Sequence, residues 1–150
     1  MPPSIFEVTI VPFSIEVDQQ HHLVLVKVWG VFDSSGFKDG LIALNGMGPF
    51  DESYRLLEVF HELVQIEIPA HELRTVANRR SGAQWPENAS LHPQAIRVVV
   101  APADLAFGVN RLYDAEVNSS GVQFTVVRNV TEAAALLGMD AADIDMTFAA

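Results

Sequence analysis

The sequence predicts an α/β domain: a mixed five-stranded sheet packed with helices, in the order ββαβαβαβα. Three observations carry this. Phe13-Ser-Ile-Glu-Val alternates apolar and polar residues with the period of a strand, placing Phe13, Ile15 and Val17 on one face. Ile96-Arg-Val-Val-Val is a nearly continuous β-branched run, the pattern of a strand buried on both faces. Helix-start and helix-stop residues recur between such segments, as in Asp33-Ser34-Ser35 and in Thr131-Glu132 with Gly138.

In chain order, Ile5 to Val11 is rich in strand formers and stops at Pro12. Phe13 to Val17 and Leu23 to Val31 read as an antiparallel hairpin around the polar Asp18-Gln-Gln-His-His turn. The hydroxyl and carboxylate of Asp33-Ser34-Ser35 can accept from the open N–H groups of a first helical turn, and Phe37, Leu41 and Leu44 follow at i, i+4 and i+7. Gly36 and Gly40 weaken that helix by roughly 0.5–1 kcal/mol each against Ala, so it must rely on packing. Asn45-Gly-Met-Gly-Pro ends it.

Tyr54 to Phe60 is the third strand, with a loop through Gln65. Pro69 suits the first position of a short helix whose inner side is Leu73, Val76 and Ala77. Gly82 to Pro93 is a loop. After Ile96 to Val100 comes a helix from about Ala103 to Val117, with Leu105, Val109 and Leu112 sharing a face with Ala106 and Tyr113. Val122 to Val127 and Thr131 to Leu137 complete the pattern, and Gly138 serves as the C-cap. The acidic C-terminal stretch has two readings: a frayed tail, or an extra edge strand in which Ile144, Met146 and Phe148 alternate.

At 150 residues and 49% hydrophobic, the chain suits one domain. It has no cysteine, which excludes disulfides and thiolate chemistry. Nine Lys and Arg against nineteen Asp and Glu leave a net charge of −10, a surface that repels nucleic-acid phosphates and anionic lipid. No apolar run approaches the ~20 residues that span a bilayer, and Met-Pro-Pro-Ser lacks signal-peptide character. A cytoplasmic protein without membrane insertion or nucleic-acid partner is expected.

The segment Val98-Val-Val-Ala-Pro-Ala-Asp-Leu-Ala-Phe-Gly-Val-Asn-Arg-Leu-Tyr resembles the SpoIIAA-like family of STAS-type domains, whose members carry a similar strand-to-helix motif. Val126-Val-Arg-Asn-Val-Thr-Glu-Ala is similar to that family's ending, with Val127, Asn129 and Leu136 in place of its usual Phe, Asp and Trp. The resemblance covers residues 13–138, leaving 1–12 as an N-terminal extension with strand character and 139–150 as an acidic C-terminal extension. It implies a cytoplasmic, non-enzymatic domain. Relatives of the anti-sigma-factor antagonist type carry a phosphorylatable Ser or Thr where a strand meets the second helix. Here Phe60 to Leu73 holds no hydroxyl residue, and the nearest is Thr75.

No catalytic, metal or cofactor site emerges from spacing. His61-Glu62 and His71-Glu72 lack the second His four residues on that a zinc-protease helix needs, and Gln65 stands there. His21-His22 reads as a surface turn, His92 as a loop residue and Asp51-Glu52 as a solvated loop. Gly46-Met-Gly48 follows a helix, whereas a phosphate loop opens one.

Arg74, Arg79 and Arg80 form either a candidate anion site or compensation for a helix dipole. Asp104 favours the N–H groups at a helix start. Phe107, Arg111 and Asp114 fall at i, i+4 and i+7 on a face turned from Leu105, and Gly108 costs a helix about 1 kcal/mol unless something approaches it closely. Phe107, Gly108, Arg111 and Asp114 are therefore the candidate partner-binding surface, with a second copy as the simplest partner. The bland reading packs Phe107 on the last helix and pairs Arg111 with Asp114 or Glu116. The expected function is a non-catalytic interaction or regulatory module that dimerises. The alternative is a small-molecule or lipid binder of CRAL-TRIO-like type, drawing on Phe37, Met47, Phe50 and Trp85.

Overall fold

The computed structural model describes residues 5–10, 12–69, 71, 95–104, 106–108, 110–111 and 124–148. Strands β1 (Ile5–Ile10), β2 (Phe13–Asp18) and β3 (Leu23–Val28) pair antiparallel in succession. β5 (Arg55–Phe60), β7 (Arg97–Val100) and β8 (Phe124–Val127) then continue parallel to β3. The mixed sheet runs β1-β2-β3-β5-β7-β8, so the expected strands are present and β1 adds a sixth at one edge. A separate parallel pair joins β4 (Val31–Asp33) to β6 (Gln65–Glu67).

That small pair corrects two expectations. Leu23 to Val31 is not one strand: β3 stops at Val28, and Gly30, at φ 69, turns the chain out of the sheet into β4. Gln65 is not loop, because its N–H donates to the Gly30 carbonyl at 2.7 Å and seats β6 beside β4.

Helix α1 (Ser34–Met47) begins as predicted, with the Asp33 carboxylate accepting from Gly36 N–H at 2.9 Å. Its inner side carries Leu44, with Phe37 and Met47 half-buried. Helix α2 (Val130–Leu137) is capped by Asn129, which accepts from Glu132 N–H at 2.9 Å. It ends at Gly138, whose φ of 68 is left-handed.

The alternation of each strand separates two cores. Ile15, Val24, Val26, Leu56, Phe60 and Val99 face α1, the β4–β6 pair and the segment after β7. Leu25, Leu57, Val59, Val98 and Val100 face α2 and the C-terminal residues. The short helix expected after Pro69, with Leu73, Val76 and Ala77, lies outside the described residues apart from His71.

The C-terminal stretch is neither a frayed tail nor an edge strand. After a 3-10 turn (Ala141–Asp143), residues 144–148 cross the second face of the sheet as a strap. Ile144 is buried there, and Phe148 meets Trp29 and His61 edge-on. Lys27 explains why the strap lies here. It falls on the second face of β3 and is only 2% exposed. A buried ammonium must be paired and hydrogen-bonded. Its Nζ donates to Glu16 Oε1 at 3.0 Å and to the Thr147 carbonyl at 2.6 Å, with the Asp145 carboxylate 3.5 Å away.

Candidate functional site

Past β7 the chain turns helical, and its described helical residues are 104, 106–108 and 110–111. Ala106 and Asn110 are buried, and Ala103 and Phe107 pack on the first core, a stripe at i, i+3, i+4 and i+7. Asn110 can sit inside because its side-chain amide donates to the Ala106 carbonyl at 2.8 Å. This corrects the facing expected of Phe107. Its ring is turned toward its own core, and the Arg128 guanidinium lies 3.9 Å from the ring centroid. Arg128 also donates to Asp104 at 2.7 Å and to the Pro102 carbonyl at 3.2 Å, so Asp104 acts as the anchor of that cation. Gly108 and Arg111 are exposed, and apart from its own helix no described residue comes within 4 Å of a Cβ placed on Gly108. Asp114, the cluster Arg74, Arg79 and Arg80, Leu105, Val109, Leu112 and Trp85 lie outside the described residues.

Of the two His-Glu pairs, Glu72 lies outside the described residues. His61 Nδ1 accepts from Leu63 N–H at 3.0 Å, and His71 is exposed. Among the described residues, no three His, Asp or Glu side chains are grouped to hold a metal ion.

A different region gathers polar and aromatic groups: the end of the sheet where β3 and β5 begin, beside the last turn of α1. Two clefts open there. One, of about 460 Å³, is polar and is lined by His21, His22, Ser53, Arg55, Asp140 and Asp143 among others. The other, of about 380 Å³, is lined by Val17, Gln19, Met47, Pro49, Phe50, Asp51 and Tyr54. Aromatic rings form the ridge between them. Tyr54 stacks on His22 with centroids 4.9 Å apart and planes 8° from parallel, and Phe50 meets Tyr54 at 4.9 Å with a tilt of 39°.

The loop before β5 fixes these groups. Asp51 Oδ1 accepts from Ser53 N–H at 2.8 Å and from Ser53 Oγ, an Asp-centred turn that holds the loop closed on itself. The Ser53 hydroxyl and then the Ser53 amide, both donating to it, hold the Asp51 carboxyl below its ordinary value. Asp51 is thus more than the solvated loop residue expected. Arg55 serves the architecture: its guanidinium donates to the Leu137 carbonyl and, at 2.5 Å, to the His21 carbonyl, tying the end of α2 to the hairpin turn. His21 is a half-buried clasp, its Nδ1 2.7 Å from Asp18 and its Nε2 3.7 Å from Asp143.

The chain Asp51–Ser53–His22 holds the residue types of a hydrolytic relay in the wrong order. An ionised carboxylate only accepts, so the Ser53 proton points at Asp51. At the 2.6 Å contact His22 Nδ1 then donates to Ser53 Oγ and takes no proton from it. A relay needs the imidazole between serine and carboxylate.

Sequence reasoning named Met47 and Phe50 but missed Tyr54, Ser53 and His22. Asp51-x-Ser53 was a readable turn signal, whereas the His22–Ser53 contact spans 31 positions and has no local signature. No family model, no curated protein and no solved structure matches the chain.

Proposed function

We propose that the protein is a non-catalytic binding module for a small molecule, seated in the cleft beside the end of α1. The observation that carries this reading is the cleft's wall: Met47, Pro49, Phe50 and Tyr54 around a concavity of about 380 Å³, within the range of ligand sites. The reversed order of Asp51, Ser53 and His22 supports a binding role over hydrolysis. The resemblance to SpoIIAA-like domains rests on the motif residues at Val98–Tyr113 and agrees with a non-enzymatic role. No helix among the described residues is long and apolar enough to cross a membrane.

Native mass spectrometry of the purified chain tests the reading. A small-molecule adduct is expected on the wild type and lost from Phe50→Ala. An adduct that survives Phe50→Ala places the ligand elsewhere and overturns it.

Docking of a second copy on the segment after β7 is the second reading, and the space over Gly108 is the observation in its favour. Phe107 already has partners on its own chain, so Gly108 is what the described residues leave of the expected docking face. Gly108→Ala should stabilise a monomer by about 1 kcal/mol through helix propensity alone. Loss of a dimer in light scattering, with the stability gain retained, would establish the interface.

A further inference from the structure

We infer that the ligand of the α1 cleft is an organic cation with apolar substituents, a quaternary or tertiary ammonium, faced by Phe50 and Tyr54 and balanced by Asp51; this rests on the cleft being the binding site. Among the described lining residues Asp51 carries the single formal charge, and neither lysine nor arginine lines the cleft. An anionic head group would meet that carboxylate with no compensating cation in the wall. A neutral apolar ligand would strip water from it without replacement.

A cation with methyl or methylene substituents satisfies both parts of the wall. Its alkyl surface lies against Met47, Pro49 and Val17, while its charge is attracted by the negative faces of the aromatic rings. The rings hold one another in place: Phe50 and Tyr54 are tilted by 39°, and Tyr54 is braced by the parallel His22 ring. The carboxylate is fixed too, because both hydrogen bonds it accepts from Ser53 end on Oδ1. The overall charge of −10 acts in the same direction by attracting cations to the surface.

The test uses the full chain, isotope-labelled, titrated with choline and with 3,3-dimethylbutanol, which has the same shape but carbon in place of the charged nitrogen. Choline should shift the amide signals of residues 47–54 and bind about tenfold more tightly than the alcohol. Asp51→Asn keeps an oxygen to accept from Ser53, so the loop should hold while choline affinity falls about tenfold. Tyr54→Leu should weaken choline by a similar factor. Equal binding of choline and the alcohol would leave the cleft as the site and overturn the cationic ligand. Absence of shifts at residues 47–54 with either probe up to about 10 mM would overturn the cleft reading as well. Choline binding that is unchanged in Asp51→Asn, in a protein whose loop signals are intact, would overturn the role of the carboxylate.

Discussion

On its first face the sheet is covered by α1, the β4–β6 pair and the segment after β7, with large side chains such as Phe13, Phe32, Leu44 and Phe60 filling the core. Among the described residues the cover of its second face is thinner: alanines of α2, then a strap outside the strand pairing. Among the described residues, each face buries one cation from a strand. Arg97, two residues before the inward Val99, is 6% exposed and donates to the Ala95 carbonyl at 2.9 Å, a neighbour on its own chain segment. Lys27 reaches Glu16 on the next strand and Thr147 at 120 positions' remove. The first face is closed by packing of elements that connect successive strands. The second is closed by a polar tie from the middle of the sheet to the last described residues of the chain.

The sharpest way to break this contrast is Lys27→Met. It keeps the apolar stem but leaves Glu16 facing the strap without its cation, and should cost about 3–5 kcal/mol in urea denaturation. Adding Glu16→Leu should recover most of that loss, since the buried charge goes with its partner. A single variant as stable as the wild type would mean that the strap is held by Ile144 and Phe148 alone.

Leu56 and Leu57 are neighbours on β5, both 0% exposed, and face opposite cores. Truncation to Ala should cost about 2–5 kcal/mol at each. Leu57→Ala should fall at the lower end, because a strap can settle into a vacancy more readily than α1 can. Equal losses would show that the second face is packed as firmly as the first.

The smallest effect concerns acid. The Thr147 N–H donating to Asp145, with Lys27 nearby, holds the Asp145 carboxyl below its ordinary value. A depressed value means that its contribution is present above about pH 4 and is lost as pH falls through the lower folded value. Amide exchange in residues 144–148 should therefore quicken in strongly acidic solution, and Asp145→Asn should show the quicker exchange already at neutral pH. Identical exchange in the two proteins at neutral pH would remove Asp145 from the latch.

The local part of this fold was legible. Period-two alternation marked β2, nearly continuous apolar runs marked β3 and β7, and Asp33 and Gly138 marked helix limits because caps are chosen by neighbours in sequence. What escaped was set by distance. β4 and β6 are three residues each, too short for a pattern, and exist because Gly30 bends one toward the other. Lys27 was visible only as an interruption of an apolar run. Its partner Thr147 could not be guessed, and with it went the course of the strap. The alternation of Ile144, Met146 and Phe148 was real, but it fits a segment lying across a sheet as well as one inside it. Phe107 misled because its spacing groups it with Arg111 and Asp114, whereas its inward stripe runs through Ala103, Ala106 and Asn110, whose amide is satisfied by the Ala106 carbonyl.

In the main sheet every strand lies beside the one made just before it, from β1 to β8. No position is left between two early strands for a later one to fill. A chain leaving the ribosome can thus extend the sheet at a single growing edge, each new strand finding its template already in place, with the strap laid across a sheet whose six strands are already made.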